Sequence, residues 1–317
     1  MLAETPSSTS RYCSRSSTRC ATIALFASLA LSAASAAQPN AEFLRALQQL
    51  YASVHSVHLR AAVEVSIRLP LYEGHRTPLH GYGYYEHWEE AGLFRTRAWV
   101  DPRLGLVENL EHAFDGTNYQ LHMLDTNTLA VEVPQFLMAE LQAVPTAIPN
   151  PFYLPTAFLA PSDDACPRCQ PTLKYLHSES TWAEKLALMG QSTAAAPRVY
   201  GGTRENKAYS FELLPQAAGR RPARIERLDR LDEQGQLTQS IRFSDFAAVK
   251  GELGTYGFPR RITVFSIDPR LPPGEDVTVI TDYTVEFIEF NGHLDSTLFT
   301  LSPDQKSAHW IEGELQR

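Results

Sequence analysis

Residues 57–69 read VHLRAAVEVSIRL, and this stretch decides the fold because apolar and polar residues alternate along it, with Ala62 as the exception. Successive side chains of a β-strand point to opposite faces, so the alternation predicts a strand with one wet face and one dry face. Such a strand would extend roughly 43 Å at about 3.3 Å per residue, whereas ordinary strands have about 5–6 residues. The sequence therefore predicts a large, curved sheet. What covers its dry face is the functional question.

Ten further strands are predicted by apolar runs that turn signals separate. The pair Asp115-Gly116, for example, is typical of a tight hairpin turn, and short turns of this kind join antiparallel neighbours. The sequence thus predicts a mainly β chain of the α+β class with about eleven strands. Together with 57–69, these are residues 79–88, 93–100, 106–114, 119–124, 129–133, 209–214, 225–231, 237–246, 258–267 and 277–290.

Three short helices and a proline-rich stretch are predicted beside the strands. Asn40 can cap an amphipathic helix that runs to about Val54, and further short helices are predicted at residues 135–144 and 182–189. Five prolines between residues 145 and 161 disfavour both helix interiors and central strands there. The apolar and aromatic residues of this middle region must nevertheless be buried against something.

Residues 1–37 are expected to be a signal peptide. Three arginines precede an apolar run at residues 21–31, and small residues then lead to a cleavage site near Ala37. The apolar run has about 11 residues, which is short for a membrane span of about 20. We therefore expect export and release of a mature chain at residues 38–317, which is long enough for one large domain or two small ones. The net charge of −8 disfavours nucleic acid as a partner.

Cys166 and Cys169 are the two cysteines that follow the expected leader. In an oxidising compartment, two close cysteines most simply form a small-loop disulfide. A redox-active motif would be expected to begin a helix, whereas prolines surround this one. A zinc site would need two more ligands, and His177 is the only nearby candidate. The sequence thus favours a disulfide over the redox and metal alternatives, and no metal or cofactor is expected.

No catalytic motif stands out in the chain. The ten histidines are scattered, and nucleotide-binding glycine loops and a Gly-x-Ser-x-Gly elbow are absent. Acidic pairs such as Glu89-Glu90 are predicted to lie solvated in loops or turns. Gly81 and Gly83 fall inside a predicted strand, which indicates a bend or the close approach of another group. We expect a binding protein rather than an enzyme, although catalytic triads can assemble from distant residues.

Five short motifs follow one another over most of the mature chain. They are a helix leading into a long strand at 44–65, the region 81–99 with Gly92-Leu93-Phe94, the turn Phe114-Asp115-Gly116-Thr117, Asn150-Pro151-Phe152, and the ending Leu294-Asp295-Ser296-Thr297-Leu298-Phe299-Thr300-Leu301. In this order the motifs resemble the LolA-like superfamily of periplasmic lipoprotein and lipid carriers. The resemblance implies a single periplasmic domain at residues 38–317, with an irregular insertion at about 160–205.

This resemblance implies an unclosed antiparallel β-barrel of about eleven strands, with short helices forming a lid over its open side. It also implies that the acyl chains of a lipid or lipoprotein bind in an apolar hollow between sheet and lid, without a cofactor. The residues expected to line the hollow and the lid are Val63, Val65, Ile67, Tyr84, Trp88, Phe94, Leu121, Met123, Phe136, Leu137, Leu141, Phe152 and Phe158.

The chain departs from the lipoprotein carrier at one motif. There, a basic residue and a proline precede the Gly/Asn-Leu-Phe element, and the arginine helps hold the lid. Here the same place reads Glu89-Glu90-Ala91-Gly92-Leu93-Phe94. The departure favours a relative with a different lipid or with an outer-membrane or inner-membrane protein partner. A periplasmic sensor or adaptor that binds a protein, of the envelope-stress type, is the alternative function.

Overall fold

The computed structural model describes residues 44–45, 47–68, 79–101, 109–133, 148–159, 172–191, 198–201, 207–213, 225–232, 234–251, 254–301, 309–311 and 314–316. The expected signal peptide and the predicted helix at 135–144 lie outside these residues, and so do several residues singled out above. Those residues are Leu69, Phe136, Leu137, Leu141, Cys166 and Cys169.

Fourteen strands are present among the described residues. They are β1 (Ser56–Ile67), β2 (Leu79–Glu90), β3 (Leu93–Val100), β4 (Leu110–Phe114), β5 (Tyr119–Met123), β6 (Thr128–Val133), β7 (Arg198–Gly201), β8 (Lys207–Leu213), β9 (Ile225–Leu231), β10 (Leu237–Gly251), β11 (Gly254–Ile267), β12 (Val277–Phe290), β13 (His309–Ile311) and β14 (Glu314–Gln316).

Twelve of these strands form one antiparallel sheet in the order β6-β5-β4-β3-β2-β1-β12-β11-β10-β9-β8-β7, and β13 pairs with β14 in a small sheet of its own. Two meanders therefore meet where β1 pairs with β12, and the outermost strands β6 and β7 are not paired with each other among the described residues. The prediction of a mainly β, unclosed antiparallel barrel is confirmed. The main sheet has one strand more than predicted, because β7 is too short to show an alternation.

β1 has the two-faced character that its sequence predicts. Its odd-numbered residues are buried from Val57 to Ile67, whereas Arg60 and Glu64 between them are exposed. Its pairing with β2 is regular along the whole strand, and a register shift against β12 occurs between Arg60 and Ala61. We call the side of the sheet that carries Val63 the inner face and the opposite side the outer face.

Short helices cover the inner face. They are α1 (residues 44–45 and 47–52), a 3-10 helix at Leu154–Leu159, α2 (Thr172–Leu176) and α3 (Glu179–Gln191), and α3 includes the helix predicted at 182–189. Buried residues from all four helical elements and from the inner face of β1 form one apolar core. We call residues 148–159 together with α2 and α3 the cover. No helix in the described part of the chain is long and apolar enough to cross a membrane.

Candidate functional site

Two aromatic side chains of the cover fill the space above the inner face. Phe152 and Phe158 are both 0% exposed and belong to the same core as Val63 and Val65. The Phe152 ring lies 6.4 Å from the ring of Phe258 on β11 and is stacked on it. We call Phe152 and Phe158 the plug, because they occupy the place in which the sequence predicts a ligand.

The inner face brings together most of the described residues predicted to line the hollow. Val63, Val65 and Ile67 are buried on β1 and share one core with the plug. The pairing registers place Phe94, Leu121 and Met123 on the same face, farther across the sheet. Of these, Phe94 and Leu121 are buried and Met123 is half-buried.

Tyr84 and Trp88 lie on the outer face, so their predicted place in the hollow is wrong. Tyr84 pairs with Ala62, and Trp88 pairs with His58. The side chains of paired residues point to the same face of a sheet, and Ala62 and His58 point away from the core. The inner positions of β2 are instead occupied by Tyr85, His87 and Glu89.

A buried polar group is present beneath the cover. Glu89 is 0% exposed, so the prediction that it is solvated is wrong. One of its carboxylate oxygens lies 3.2 Å from His87 Nε2, and His87 Nδ1 lies 2.9 Å from Thr96 Oγ1. The other carboxylate oxygen accepts a hydrogen bond of 2.6 Å from the backbone N–H of Leu173 in the first turn of α2. Such an N–H has no partner within its own helix, so Glu89 fixes the start of α2 to the sheet.

A second hydrogen bond holds the other part of the cover. The Tyr283 hydroxyl on β12 donates to the backbone carbonyl of Pro149 at 2.5 Å, three residues before Phe152. The ring of His87 also stacks on the ring of Phe152, with 6.1 Å between the centroids. We call the hydrogen bonds from Leu173 to Glu89 and from Tyr283 to Pro149 the latch, because both join the cover to the sheet.

Burial changes the acid–base behaviour of two groups in the helices over the inner face. Lys185 of α3 is 1% exposed, and burial lowers its pKa, while the Glu184 carboxylate 3.7 Å away opposes this change. Burial also raises the pKa of the Tyr51 hydroxyl on α1. Both changes favour the uncharged form, which suits groups next to an apolar core.

The atoms around His87 do not form a catalytic triad of the usual geometry. In a triad, the hydroxyl faces Nε2 of the histidine and the carboxylate faces Nδ1, whereas Thr96 and Glu89 are placed the opposite way round. Glu89 is also occupied by the N–H of Leu173. Within the described ranges, no group of three or more His, Cys, Asp or Glu residues could hold a metal ion. The arrangement attaches the cover to the sheet.

Three solved structures are similar to this chain. A DUF1329 family protein from Desulfovibrio piger ATCC 29098 is 8% identical, with 83% of this chain and 96% of that chain covered and a TM-score of 0.42. A LolA superfamily protein from Nitrosomonas europaea is 10% identical over 81% and 97% of the two chains, with a TM-score of 0.38. A domain from Vibrio parahaemolyticus named as an outer membrane lipoprotein-sorting protein is 9% identical over 83% and 97%, with a TM-score of 0.36.

No protein-family model matches the chain, and no curated protein matches it. The description of the fold therefore depends on the chain's own geometry. Its sheet is antiparallel and unclosed, and short helices cover the inner face. This architecture is the unclosed antiparallel barrel with a helical lid that the sequence predicts.

Proposed function

We propose that the chain is a periplasmic carrier that holds the acyl chains of a lipid or lipoprotein in the space occupied by the plug. One observation carries the proposal. Among the described residues, the apolar inner face is covered by helices of at most 13 residues, and buried side chains of the cover, Phe152, Phe158 and Trp182 among them, fill the space above it. A cover of this kind can be displaced without breaking the sheet itself.

The energies of the exchange favour an acyl chain over the plug. Exposing the two phenylalanine side chains costs about 1.5–3 kcal/mol each. An acyl chain of about 14 methylenes gains about 11 kcal/mol at about 0.8 kcal/mol per methylene. The difference of several kcal/mol must cover rupture of the latch, the entropy lost when the ligand becomes ordered, and any exposure of other buried cover residues such as Leu159 and Trp182.

The latch sets how readily the exchange occurs. Its two hydrogen bonds hold the cover against the sheet, and we call this arrangement the closed state. A ligand that binds only the open state loses apparent affinity in proportion to the closed fraction. A carrier needs such a balance, because it must both retain its cargo and release it.

The direct test is to express the full chain with its leader in a bacterial periplasm and to examine the purified protein by native mass spectrometry. We expect bound lipid, released by organic extraction, and displacement of that lipid by palmitate. Protein that carries no lipid and does not bind palmitate would contradict the proposal. Recovery of a protein partner in place of lipid would favour the adaptor alternative.

A matched pair of variants locates the binding face. Val65 is buried on the inner face of β1, whereas its neighbour Glu64 is exposed on the outer face. We expect Val65→Arg to abolish palmitate binding and Glu64→Arg to preserve it, because a buried charge is incompatible with an acyl chain. Ile67→Arg, at the end of β1, provides a milder variant if Val65→Arg does not fold. Equal binding by a folded inner-face variant and by Glu64→Arg would exclude the inner face as the site.

A further inference from the structure

Two arginines on the outer face of β3 have very different surroundings. Arg95 donates to Glu111 Oε1 from Nε at 2.8 Å and to the Leu298 carbonyl oxygen from Nη1 at 2.9 Å. Arg97, two residues farther along the same face, has no hydrogen-bond or ion-pair partner among the described residues. Its Nε is buried and lacks an acceptor there. Buried donors are normally satisfied, so this guanidinium needs a physical explanation.

The nearest carboxylates do not provide that explanation. In the strand register, Arg97 lies opposite Glu86 on β2 and opposite Glu111 on β4, so it has an acidic neighbour on each side. Glu86 is engaged by His58, whose Nε2 lies 2.9 Å from its Oε1, and Glu111 is engaged by Arg95. Both acidic side chains thus have closer partners, and the Arg97 guanidinium remains available to another acceptor.

Arg97 lines a cleft of about 480 Å³ on the outer face. The rings of Tyr84 and Trp99 form one wall and stack with 6.1 Å between centroids at an angle of 18°. The guanidinium lies over the Tyr84 ring, 5.7 Å from its centroid. The remaining lining residues come from the end of β5 and the turn that follows it. They are His122, Leu124 and Asn127.

The backbone beside the cleft is built for close approach. Gly83 precedes Tyr84, and a Cβ atom at this position would overlap the carbonyl oxygen of Trp99. The absence of a side chain thus lets β3 approach β2 at the point where Tyr84 and Trp99 stack. The backbone of the sheet thus brings the two strands together where Tyr84 and Trp99 stack.

Burial and two nearby carboxylates raise the pKa of the Tyr84 hydroxyl above its ordinary value. Burial raises its pKa most, Arg97 lowers it, and the Glu111 and Glu86 carboxylates raise it further. A protonated phenol is a hydrogen-bond donor. The cleft therefore offers a neutral donor and a guanidinium without an ion-pair partner among the described residues, both beside a flat aromatic wall.

We propose that this outer-face cleft binds a small anion whose carboxylate or phosphate group is attached to a flat ring. The planar guanidinium of Arg97 matches such an oxyanion, which would supply an acceptor for the Nε that has none among the described residues. The flat ring would stack on Tyr84 or Trp99. The proposal does not depend on the acyl-chain hollow, because Tyr84, Arg97 and Trp99 lie on the opposite face of the sheet.

The test titrates the full chain with phenyl phosphate and with benzoate by isothermal titration calorimetry. Inorganic phosphate supplies the charge without the ring, and benzyl alcohol supplies the ring without the charge. We expect at least one ring-bearing anion to bind more tightly than both partial probes. Arg97→Gln should weaken the binding of that anion by about tenfold or more, since the charge-assisted hydrogen bonds from the guanidinium are lost. Trp99→Leu should weaken it as well.

Arg60→Gln is the matched control, because Arg60 is exposed on the same face and pairs with Glu286 at 3.4 Å outside the cleft. It should bind as the original chain does. Arg97→Gln is expected to fold, because no hydrogen-bond or ion-pair partner among the described residues is lost, and circular dichroism checks this. Equal affinities of Arg97→Gln and the original chain would overturn the proposal. Absence of binding of both ring-bearing anions at millimolar concentration would also overturn it.

Discussion

The two faces of β2 use similar residue types for different purposes. The inner face presents Tyr85, His87 and Glu89, all buried, and the polar members of this set hold the cover. The outer face presents Tyr84 and Trp88, which are half-buried and lie under arginines of β3. The more aromatic face is thus the one that faces away from the core. On this strand, pairing with β1 decides burial, and the hydrophobicity of the strand alone does not.

Glu89→Ala should have the largest effect on stability. The change leaves the N–H of Leu173 and the ring of His87 without their buried partner. Loss of one member of a buried pair costs about 3–5 kcal/mol. We expect a fall of this size in the free energy of unfolding, measured by urea denaturation.

Glu86→Ala is the outer-face counterpart of that variant. Glu86 lies 2.9 Å from His58 in a partly exposed pair, and such pairs contribute about 0–1 kcal/mol. A Glu86→Ala effect as large as that of Glu89→Ala would show that the two faces do not differ as described. A small effect of Glu89→Ala would remove Glu89 from the latch.

Gly83→Ala tests whether β2 and β3 must approach each other as closely as the structure shows at Gly83 and Trp99. The new Cβ would overlap the backbone carbonyl of Trp99, so β2 and β3 would have to separate. Overpacking of this kind costs about 1–3 kcal/mol. Gly257→Ala on β11 is the control, because a Cβ there meets nothing within 4 Å. Thermal unfolding of both variants should show a lowered Tm for Gly83→Ala alone, and equal Tm values would contradict the close approach.

Tyr283→Phe separates the latch from the rest of the core. The variant keeps the buried ring and removes the hydrogen bond to Pro149, which is worth about 0.5–1.5 kcal/mol. If the ligand binds the open state, apparent palmitate affinity should rise by up to about tenfold as the closed state loses this energy. Tyr84→Phe removes a hydroxyl on the outer face and should leave palmitate affinity unchanged. A parallel rise in both variants would mean that the latch does not control access.

Much of the fold could be predicted because alternation is a local property. The structure reproduces the predicted bounds of β9 and β12 and most of β1. Four-residue β7 was missed, since so short a run carries no measurable period. The five-residue helix α2 was missed for the same reason, although its first turn receives the Glu89 carboxylate.

The site was predicted less well, because it depends on contacts between distant residues. Leu173 lies 84 residues from Glu89 in sequence, and nothing local reveals that the two meet. One signal was available. Gly81, Gly83 and Glu89 are all odd-numbered residues of β2, so they lie on the same face of the strand, and glycines on one face indicate that another group approaches it closely. This alternation would have placed Glu89 on the inner face and Tyr84 and Trp88 on the outer face.

The smallest expected effect concerns the segment at residues 294–301, which is fixed to the outer face where Arg95 donates to the Leu298 carbonyl. Asp295 caps a second 3-10 helix at Ser296–Phe299. Hydrogen bonds from the backbone N–H and the hydroxyl of Thr297 lower the pKa of the Asp295 carboxyl. A carboxyl whose folded pKa lies below its unfolded value stabilises the protein above the unfolded pKa. This stabilisation is lost as the pH falls through the lowered folded value.

Asp295→Asn keeps an acceptor but cannot ionise, so its Tm should fall slightly below that of the original chain at neutral pH. In acid the two Tm values should converge. A constant Tm difference for Asp295→Asn at all pH values would show that the capping geometry matters and the charge does not.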